Sequence, residues 1–529
     1  MKRRDILKAG LGAGSLFLPL PYAWVWAQSD GALKLLRAPK IALVLGNSKY
    51  KEVPLKNPAN DARAIAEALK ASGFEVTLKM DAGKMDMAAA VQTYVQTLAA
   101  RKCVGLFYYA GHGIQLAWKN YMLPVDADID TIGDVQKQAV EVHALMEGLT
   151  KAGNPMNVVI LDACRDNPFG NLKGVDHKGL SQMDAPTQTL LAFATSPGNV
   201  ASDGDGANGL YTENLLREIK VPEAKVEDVF KRVRLGVRRK SNGAQIPWES
   251  TSLEEDFWFL PPKDMKAQSE AEKEKLFEEE LALWERLKAS TDVAPLEEFL
   301  RRYPSGPFSE LAQLQLERVL AALGEKRVRI ASQDGNPFTR GSAEANTKWQ
   351  VGDMYTYRRT DLKGVEPTRE GTQAVTEIAG GEVRYGNGII TDLLGNVLRR
   401  GGGRIYTANQ LEPQEYIVGK QWVTQYRITT PKGGTGRNEM ELRIVAREPL
   451  TVPAGTFNAF RIEGRGVFEE EGGRVEVTKL TKWASPDRLR REVAMEETRT
   501  SSRGGGRRGG GGSRITQSLR WELVSYKQS

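Results

Sequence analysis

The amino-acid sequence predicts a multidomain protein: an α/β domain on a mainly parallel sheet, then a short α-helical module, then an antiparallel β-rich domain. The length of 529 residues exceeds what one ordinary domain holds. Short apolar runs alternate with helical patterns in the first half, which is typical of βαβ units. In the last third, polar and apolar residues alternate instead, which favours antiparallel strands.

The first 27 residues indicate an export signal. Arg3 and Arg4 precede a moderately apolar stretch, and small residues suit cleavage after Ala27. The arginine pair resembles the twin-arginine export signal; a membrane anchor or a disordered start is the alternative. No later run in the sequence reaches the ~18 continuous apolar residues of a membrane span. We therefore expect an exported protein, periplasmic or extracellular, that does not span the membrane once the signal is removed.

The formal net charge of +7 is unevenly placed. The first 27 residues carry +3, and the arginines of "SSRGGGRRGGGGSR" (501–514) carry +4, so the remaining charges balance. No broad basic face is implied, and no nucleic-acid partner is predicted. The glycine–arginine tract resembles RNA-binding tracts, but it lacks aromatic residues and strand-like segments flank it. We interpret the tract as a hairpin loop.

Residues 28–38 are predicted to be a linker and residues 39–262 the α/β domain. Asn60 or Asp61 is the predicted cap of its first helix, and a single later helix is predicted over 136–153. Right-handed crossovers bring the ends of successive parallel strands to one edge, where ligands bind in such sheets. The strands "YYAGHG" (108–113) and "NVVILDAC" (157–164) both end at that edge.

The two cysteines and three histidines in the chain differ in their predicted positions. Cys164 ends a strand, and as a nucleophile it needs a base. His112 ends the neighbouring strand between two glycines and is the predicted base; a structural histidine in a turn is the alternative. His143 falls in a predicted helix and His177 in a loop, so neither is favoured. Cys103 begins a strand far from Cys164, so we expect a buried residue without a disulfide.

These blocks resemble the caspase-like cysteine peptidases, most closely their bacterial metacaspase/orthocaspase branch. His112 and Cys164 are 52 positions apart, close to the spacing of about 50 in caspases. The resemblance covers residues 39–260 and includes the opening segment 42–74 and the loop "AFATSPGNVASDG". It implies that Cys164 attacks the scissile carbonyl, that His112 handles the protons, and that the backbone N–H groups of Gly113 and Cys164 form an oxyanion hole.

Two acids predict cleavage after Arg or Lys. Asp162 and Cys164 are two apart on a strand and therefore project from the same side, so Asp162 would bind a cationic P1 side chain. Asp61 matches the second pocket acid of metacaspases by resemblance. The alternative is that Asp162 caps a turn and Asp61 caps a helix; Asp166 is a weaker pocket candidate.

No cofactor is predicted, and a need for calcium stays open. Asp126, Asp128 and Asp130 could bind calcium, although a solvated loop is the favoured interpretation. Self-cleavage after Lys173 or Lys178 is a further hypothesis.

Residues 263–325 are predicted to be a helical linker or module, residues 326–346 a linker and residues 347–529 the β-domain. The module either docks a partner or spaces two domains. The β-domain either binds a lipid, a glycan or a protein, or only stabilises the chain.

The sequence thus favours an exported cysteine endopeptidase acting on protein or peptide substrates with basic P1 residues. The alternative is a non-catalytic or partner-activated scaffold whose helical and β-domains bind an envelope protein, lipid or glycan. The natural substrate and the oligomeric state are not predicted.

Overall fold

The computed structural model describes residues 31–164, 180–196, 206–263, 269–325, 336–470, 475–502 and 513–528. Several features predicted from sequence fall outside these ranges: the export signal, Asp166, Lys173, His177, Lys178 and most of the glycine–arginine tract.

An eight-stranded sheet forms the centre of the first domain in the described residues. Its strands are β1 (Lys40–Gly46), β2 (Glu75–Met80), β3 (Val104–Leu116), β4 (Lys119–Met122), β5 (Val140–Glu141), β6 (Met156–Cys164), β7 (Thr189–Phe193) and β8 (Trp248–Thr251). The order is β2-β1-β3-β6-β7-β8, and a β3–β4–β5 extension leaves this path at β3. The first five strands of that order are parallel and only β8 is antiparallel to its neighbour, which confirms the predicted mainly parallel sheet.

Helices cover both faces of this sheet, as its continuous apolar strands require. The described helices are α1 (31–37), α2 (Pro58–Ala71), α3 (Lys84–Arg101), α4 (Ile132–Gln138), α5 (Val142–Ala152), α6 (Leu210–Ile219) and α7 (Val226–Lys240). One apolar core packs α2, α6 and α7 against one face, and a second packs α3 and α5 against the other. All 13 residues of β3, the strand at the centre of the sheet, are buried.

Two local predictions for this domain are wrong. The helix predicted over 136–153 is interrupted, because Val140 and Glu141 pair with β4 as an extra strand between α4 and α5. Neither Asn60 nor Asp61 caps α2. The cap is Asn57, and Pro58 begins the helix, where its missing N–H costs nothing.

Three helices follow in the described chain: α8 (Glu270–Leu287), α9 (Val293–Arg302) and α10 (Ser309–Ala322). They pack around an apolar cluster that includes Trp284, Phe299 and Phe308, which confirms the predicted helical region. No helix within the described ranges is both long enough and apolar enough to cross a membrane.

The remaining chain confirms the predicted antiparallel β-rich domain, and its sheet closes into a barrel of twelve strands within the described residues. The barrel strands are β10 (Met354–Asp361), β11 (Arg369–Ala379), β12 (Glu382–Tyr385), β13 (Ile390–Asp392), β14 (Val397–Arg399), β15 (Ile405–Tyr406), β17 (Gln421–Thr429), β18 (Thr435–Val452), β19 (Gly455–Glu470), β20 (Val475–Ala484), β21 (Glu492–Ser502) and β22 (Ser513–Lys527). β9 (Ser342–Glu344) and β16 (Glu415–Ile417) form a separate pair. The barrel closes because β10 pairs with β22.

Candidate active site

The predicted dyad residues lie at the same edge of the first sheet. β3 and β6 are parallel neighbours, and their register places His112 directly opposite Cys164. The same register places Ala110 opposite Asp162, two residues earlier on each strand. The arrangement follows from parallel pairing, which brings two strand ends that are 52 residues apart in the chain side by side.

The His112 ring is oriented by the loop that follows β1. His112 is 2% exposed, and its Nε2 lies 2.8 Å from the carbonyl oxygen of Val53. A carbonyl oxygen only accepts hydrogen bonds, so Nε2 carries the proton in this bond. In a neutral ring the acceptor lone pair is then on Nδ1, which makes Nδ1 the nitrogen able to take up a proton.

Two tyrosine hydroxyls fix the main chain of His112. The backbone N–H of His112 donates to the hydroxyl of Tyr50 at 2.9 Å, and the Tyr109 hydroxyl donates to the His112 carbonyl at 2.7 Å. The two hydroxyls are 3.2 Å apart. We call the Tyr50 and Tyr109 hydroxyls bound to the His112 main chain the clamp. A side chain at position 111 would place its Cβ 2.6 Å from the Tyr50 hydroxyl, so the first glycine of Gly-His-Gly makes the clamp possible.

The loop that carries Tyr50 and Val53 is itself anchored. The backbone N–H groups of Ser48 and Lys49 both donate to Asp81 Oδ1 at 2.9 Å. Burial opposes ionisation of Asp81, but these two amides stabilise its charge, and the pKa of Asp81 lies below its ordinary value. The loop is therefore held by a carboxylate that stays charged at neutral pH.

Asp162 is bound by two hydroxyls beneath the strand end. The Thr212 hydroxyl donates to Asp162 Oδ2 at 2.6 Å, and the Tyr108 hydroxyl lies 3.3 Å from the same oxygen. Thr212 and Tyr108 are also 2.7 Å apart. These contacts make Asp162 part of a buried hydroxyl network between β3, β6 and α6.

Asp61 joins the same region from α2. It is buried, and its Oδ1 accepts hydrogen bonds from Asn208 Nδ2 at 2.8 Å and from the Gly209 N–H at 3.0 Å. Burial, and then the charges of Asp162 and Asp61, hold the pKa of Tyr108 well above its ordinary value. Both predicted pocket acids therefore act on one phenol, and the start of α6 contacts both of them.

Gly113 follows His112 at the point where β3 begins to pair with β4. A Cβ there would lie 2.9 Å from the Ala163 Cβ and 3.1 Å from Leu180 Cδ2. The residue preceding Cys164 thus packs directly against the Gly113 backbone, and a larger residue at 113 would push β3 and β6 apart.

The other histidine and cysteine of the described chain lie elsewhere. His143 on α5 is 3.4 Å from Glu147 and packs against Phe338, as a helix-surface residue does. Cys103 is free and buried, and burial raises the pKa of its thiol. Nine residues of strand, about 30 Å, separate its position from the level of Cys164.

No group of His, Cys, Asp and Glu side chains with the makings of a metal site occurs in the described ranges. Asp126 Oδ1 accepts the Lys84 N–H at 2.9 Å and so satisfies the start of α3. The Asp128 backbone exchanges hydrogen bonds with Gln138.

Sequence reasoning missed the residues that support the dyad and the acids, namely Tyr50, Val53, Tyr108, Tyr109 and Thr212. Tyr50 and Val53 were in a loop without periodicity, and Thr212 is 50 residues from the carboxylate it binds. The one available signal was the run of buried tyrosines before Gly-His-Gly, because a buried hydroxyl needs a partner.

The chain is similar to known proteins over part of its length. Residues 39–258 match the family model described as a caspase domain. Over 191 residues the chain is 31% identical to human mucosa-associated lymphoid tissue lymphoma translocation protein 1 and to its mouse homolog. Each match covers 34% of this chain and 22% of the relative, so the chain spans about a fifth of those proteins. Caspase-1 from Spodoptera frugiperda is a structural neighbour at 14% identity and TM-score 0.33, covering 44% of this chain and 93% of that one.

Proposed function

We propose, from the premise that residues 39–258 are a caspase domain, that this chain is an exported cysteine endopeptidase that cleaves protein substrates after Arg or Lys. The observation that carries the proposal is the register of β3 and β6, with His112 opposite Cys164. The bond from His112 Nε2 to Val53 adds to it, since it commits one ring nitrogen and leaves Nδ1 as the proton acceptor.

The proposed reaction has two stages. His112 removes the thiol proton of Cys164, and the thiolate attacks the scissile carbonyl carbon to form a tetrahedral oxyanion. Backbone N–H groups of Gly113 and Cys164 stabilise that oxyanion. Collapse breaks the C–N bond as His112 returns the proton to the leaving amine. His112 then takes a proton from water, which attacks the thioester and releases the acid product and the free thiol.

The proposed preference for a basic P1 residue rests on Asp61 and Asp162. A guanidinium or ammonium bound between two carboxylates gains charge-assisted hydrogen bonds that a neutral or acidic side chain cannot make. The Thr212 hydroxyl, 2.6 Å from Asp162, supports this role because it stabilises the ionised carboxylate.

The test is hydrolysis of fluorogenic peptides that differ only at P1, with Arg, Lys or Asp, with and without calcium. We expect Arg and Lys peptides to be cleaved, Cys164→Ala to abolish turnover, and Cys103→Ala, the other cysteine, to retain it. Asp61→Asn and Asp162→Asn should each raise KM for the Arg peptide about tenfold. Absence of Cys164-dependent turnover in every condition would reject the proposal in favour of a non-catalytic scaffold.

A further inference from the structure

Strand register assigns the hairpin turns of the barrel to two ends. The turns after β10, β14, β17, β19 and β21 lie at one end, which we call the distal end: residues 358–370, 399–405, 429–436, 469–470 and 513–515. The pairs Arg399↔Ile405, Ile405↔Thr429 and Thr429↔Thr435 link three of these turns side by side. The pairs Gly436↔Glu470, Glu476↔Ser501, Ser502↔Ser513 and Asp361↔Leu519 continue the ring.

The opposite end faces the first domain. Gln421, at the start of β17, donates to the carbonyl of Leu253 at 2.8 Å. The Gly419 backbone packs against Thr251 of β8. The distal end therefore points away from the sheet that carries the candidate active site.

Apolar side chains project from the distal turns. Leu362 is 51% exposed, Val365 76%, Ile405 53% and Ile515 48%. Isolated exposed apolar residues are ordinary on protein surfaces. Here four branched aliphatic residues lie in or beside three hairpin turns at one end, which is where a docking surface would place them.

The same turns carry cations that make no ion pair with any described residue: Arg369, Arg399, Arg400, Arg404, Lys432 and Arg514. Lys363 lies beside Asp361, and its ammonium donates to the Ile515 carbonyl at 3.1 Å. Arg399, Arg400 and Arg404 form one exposed tip, "RRGGGR", next to the turn that holds Lys432. Elsewhere on the barrel most arginines are paired, as Arg427, Arg443 and Arg447 are with Glu274, Glu254 and Asp487.

Few acids balance these cations. At the distal end Arg358 pairs with Glu370, Arg359 pairs with Glu366, and Asp361 accepts three backbone N–H groups. Glu469 and Glu470 are the remaining carboxylates of the distal segments. The five described distal segments together contain nine cations and five carboxylates, an excess of four positive charges.

We propose that the distal end docks on the surface of an anionic lipid bilayer. Leu362, Val365, Ile405 and Ile515 enter the boundary between headgroups and acyl chains, and the arginine tip binds lipid phosphates. A soluble polyanion would satisfy the arginines but offers nothing to the four exposed apolar side chains, so the bilayer is the partner that uses both features. Docking of this kind holds the protein at the membrane surface through the end of the barrel that lies opposite its contacts with the first domain.

The experiment is cosedimentation of the full chain with vesicles of phosphatidylglycerol and phosphatidylcholine in equal parts, against vesicles of phosphatidylcholine alone. We expect binding only to the anionic vesicles, weakening as salt rises. The triple variant R399Q/R400Q/R404Q should bind at least about tenfold more weakly. L362S/V365S should also weaken binding while the salt dependence persists.

The matched control is K70Q/K79Q/K220Q, which removes the same charge from exposed lysines of the first domain that form no ion pair within the described part of the chain. It should bind as the unmodified chain does. Equal binding to both kinds of vesicle, or no effect of the arginine triple, would overturn the proposal. The proposal would also be overturned if both distal variants still bound the anionic vesicles while deletion of residues 503–512 abolished binding. Equally tight binding to dextran sulfate, unaffected by L362S/V365S, would indicate a soluble polyanion and reject the lipid surface.

Discussion

At the scale of single residues, the candidate base is held mainly through its backbone. The Tyr50 hydroxyl accepts the His112 N–H at 2.9 Å and the Tyr109 hydroxyl binds the His112 carbonyl at 2.7 Å. The ring itself is tied to Val53. The rate of proton transfer depends steeply on the positions of donor and acceptor. These contacts therefore determine how readily His112 can accept the thiol proton of Cys164.

Tyr50→Phe should therefore lower kcat on an Arg-P1 peptide about tenfold while KM changes little. The Tyr50 ring, whose centroid lies 4.5 Å from that of the tilted His112 ring, remains, but the buried N–H of His112 loses its acceptor. We expect a loss of stability of about 1–3 kcal/mol, measured by thermal unfolding. Tyr94→Phe, which removes a buried hydroxyl beside Gly105 at the far end of β3, is the control and should leave kcat unchanged. An equal loss of kcat in both variants would mean that packing, not the clamp, is responsible.

The positions of His112, Cys164, Asp61 and Asp162 could be anticipated from the sequence, because strand ends and a first helical turn are local features. Their partners could not. The local sequence offers the Asp61 carboxylate as a helix cap, yet it binds Asn208 and Gly209, 147 and 148 residues away. Such contacts exist only once α2 and α6 pack on the same face of the sheet, and no local pattern records that packing.

At the scale of elements, apolar periodicity predicted the parallel strands and most helices. It failed at Val140–Glu141, where two residues inside an apparently continuous helical pattern pair with β4. The hydrogen bonds offered by a neighbouring strand there outweigh a local helical preference, which is a weak prior for so short a segment. The sequence pattern does not predict the extension formed by β4 and β5, because these strands are only four and two residues long.

The helical module contains an element-level feature that predicts a pH dependence. Glu280 on α8 is 4% exposed, and burial raises its pKa to about 8 from an ordinary value of 4.5, although the Phe308 N–H donates to it. The folded state therefore holds this proton more tightly than the unfolded state. The stabilisation that comes from binding this proton is complete below about pH 4.5 and is lost as the pH rises to about 8. Over that range the free energy of unfolding falls by about 1.4 kcal/mol per pH unit.

Glu280→Gln should remove that dependence, because glutamine keeps the acceptor oxygen and does not ionise. Amide hydrogen exchange of α8–α10, corrected for intrinsic rates, should show similar protection in both proteins at pH 5. At pH 8 the variant should be more stable by roughly 2–4 kcal/mol. The neighbouring Glu279→Gln, on the exposed side of α8, should behave as the unmodified chain does at both pH values. Protection that rises with pH in the unmodified chain would contradict the assignment.

At the scale of the whole molecule, ion pairs and hydrogen bonds join the α/β domain to the β-domain and to the chain that leads into it. Arg234 of α7 pairs with Glu249 of β8 and with Glu415 of β16. Asn336 donates to the Ser181 hydroxyl at 3.0 Å and to the Gln182 carbonyl at 2.8 Å. Leu180, the neighbour of Ser181 in the chain, has its side chain against Gly113. The chain that leads into the barrel thus binds a segment that itself packs against the candidate oxyanion site.

The sequence pattern predicts neither the closure of the barrel nor these contacts between the two domains. Alternation predicts strands and faces, but the pairing of β10 with β22 joins segments about 160 residues apart. The apolar residues of β16 likewise fit a core position in either domain. Only the folded chain shows that Ile417 belongs to the core of the α/β sheet rather than to that of the barrel.

A substitution in the β-domain should therefore destabilise the α/β domain. Ile417 is 6% exposed and packs in the cluster that contains Leu145, Phe193 and Trp248. Ile417→Ala should lower the free energy of unfolding by about 2–4 kcal/mol, because it opens a cavity between the two domains. Hydrogen exchange should show the loss of protection in α5 and β7 as well as in β16. Val423→Ala, at an exposed position of β17, is the matched control and should cost less than about 0.5 kcal/mol. If protection falls only within the β-domain, the two domains unfold independently and Ile417 does not couple them. If it falls in both, the barrel is a structural part of the domain that carries His112 and Cys164.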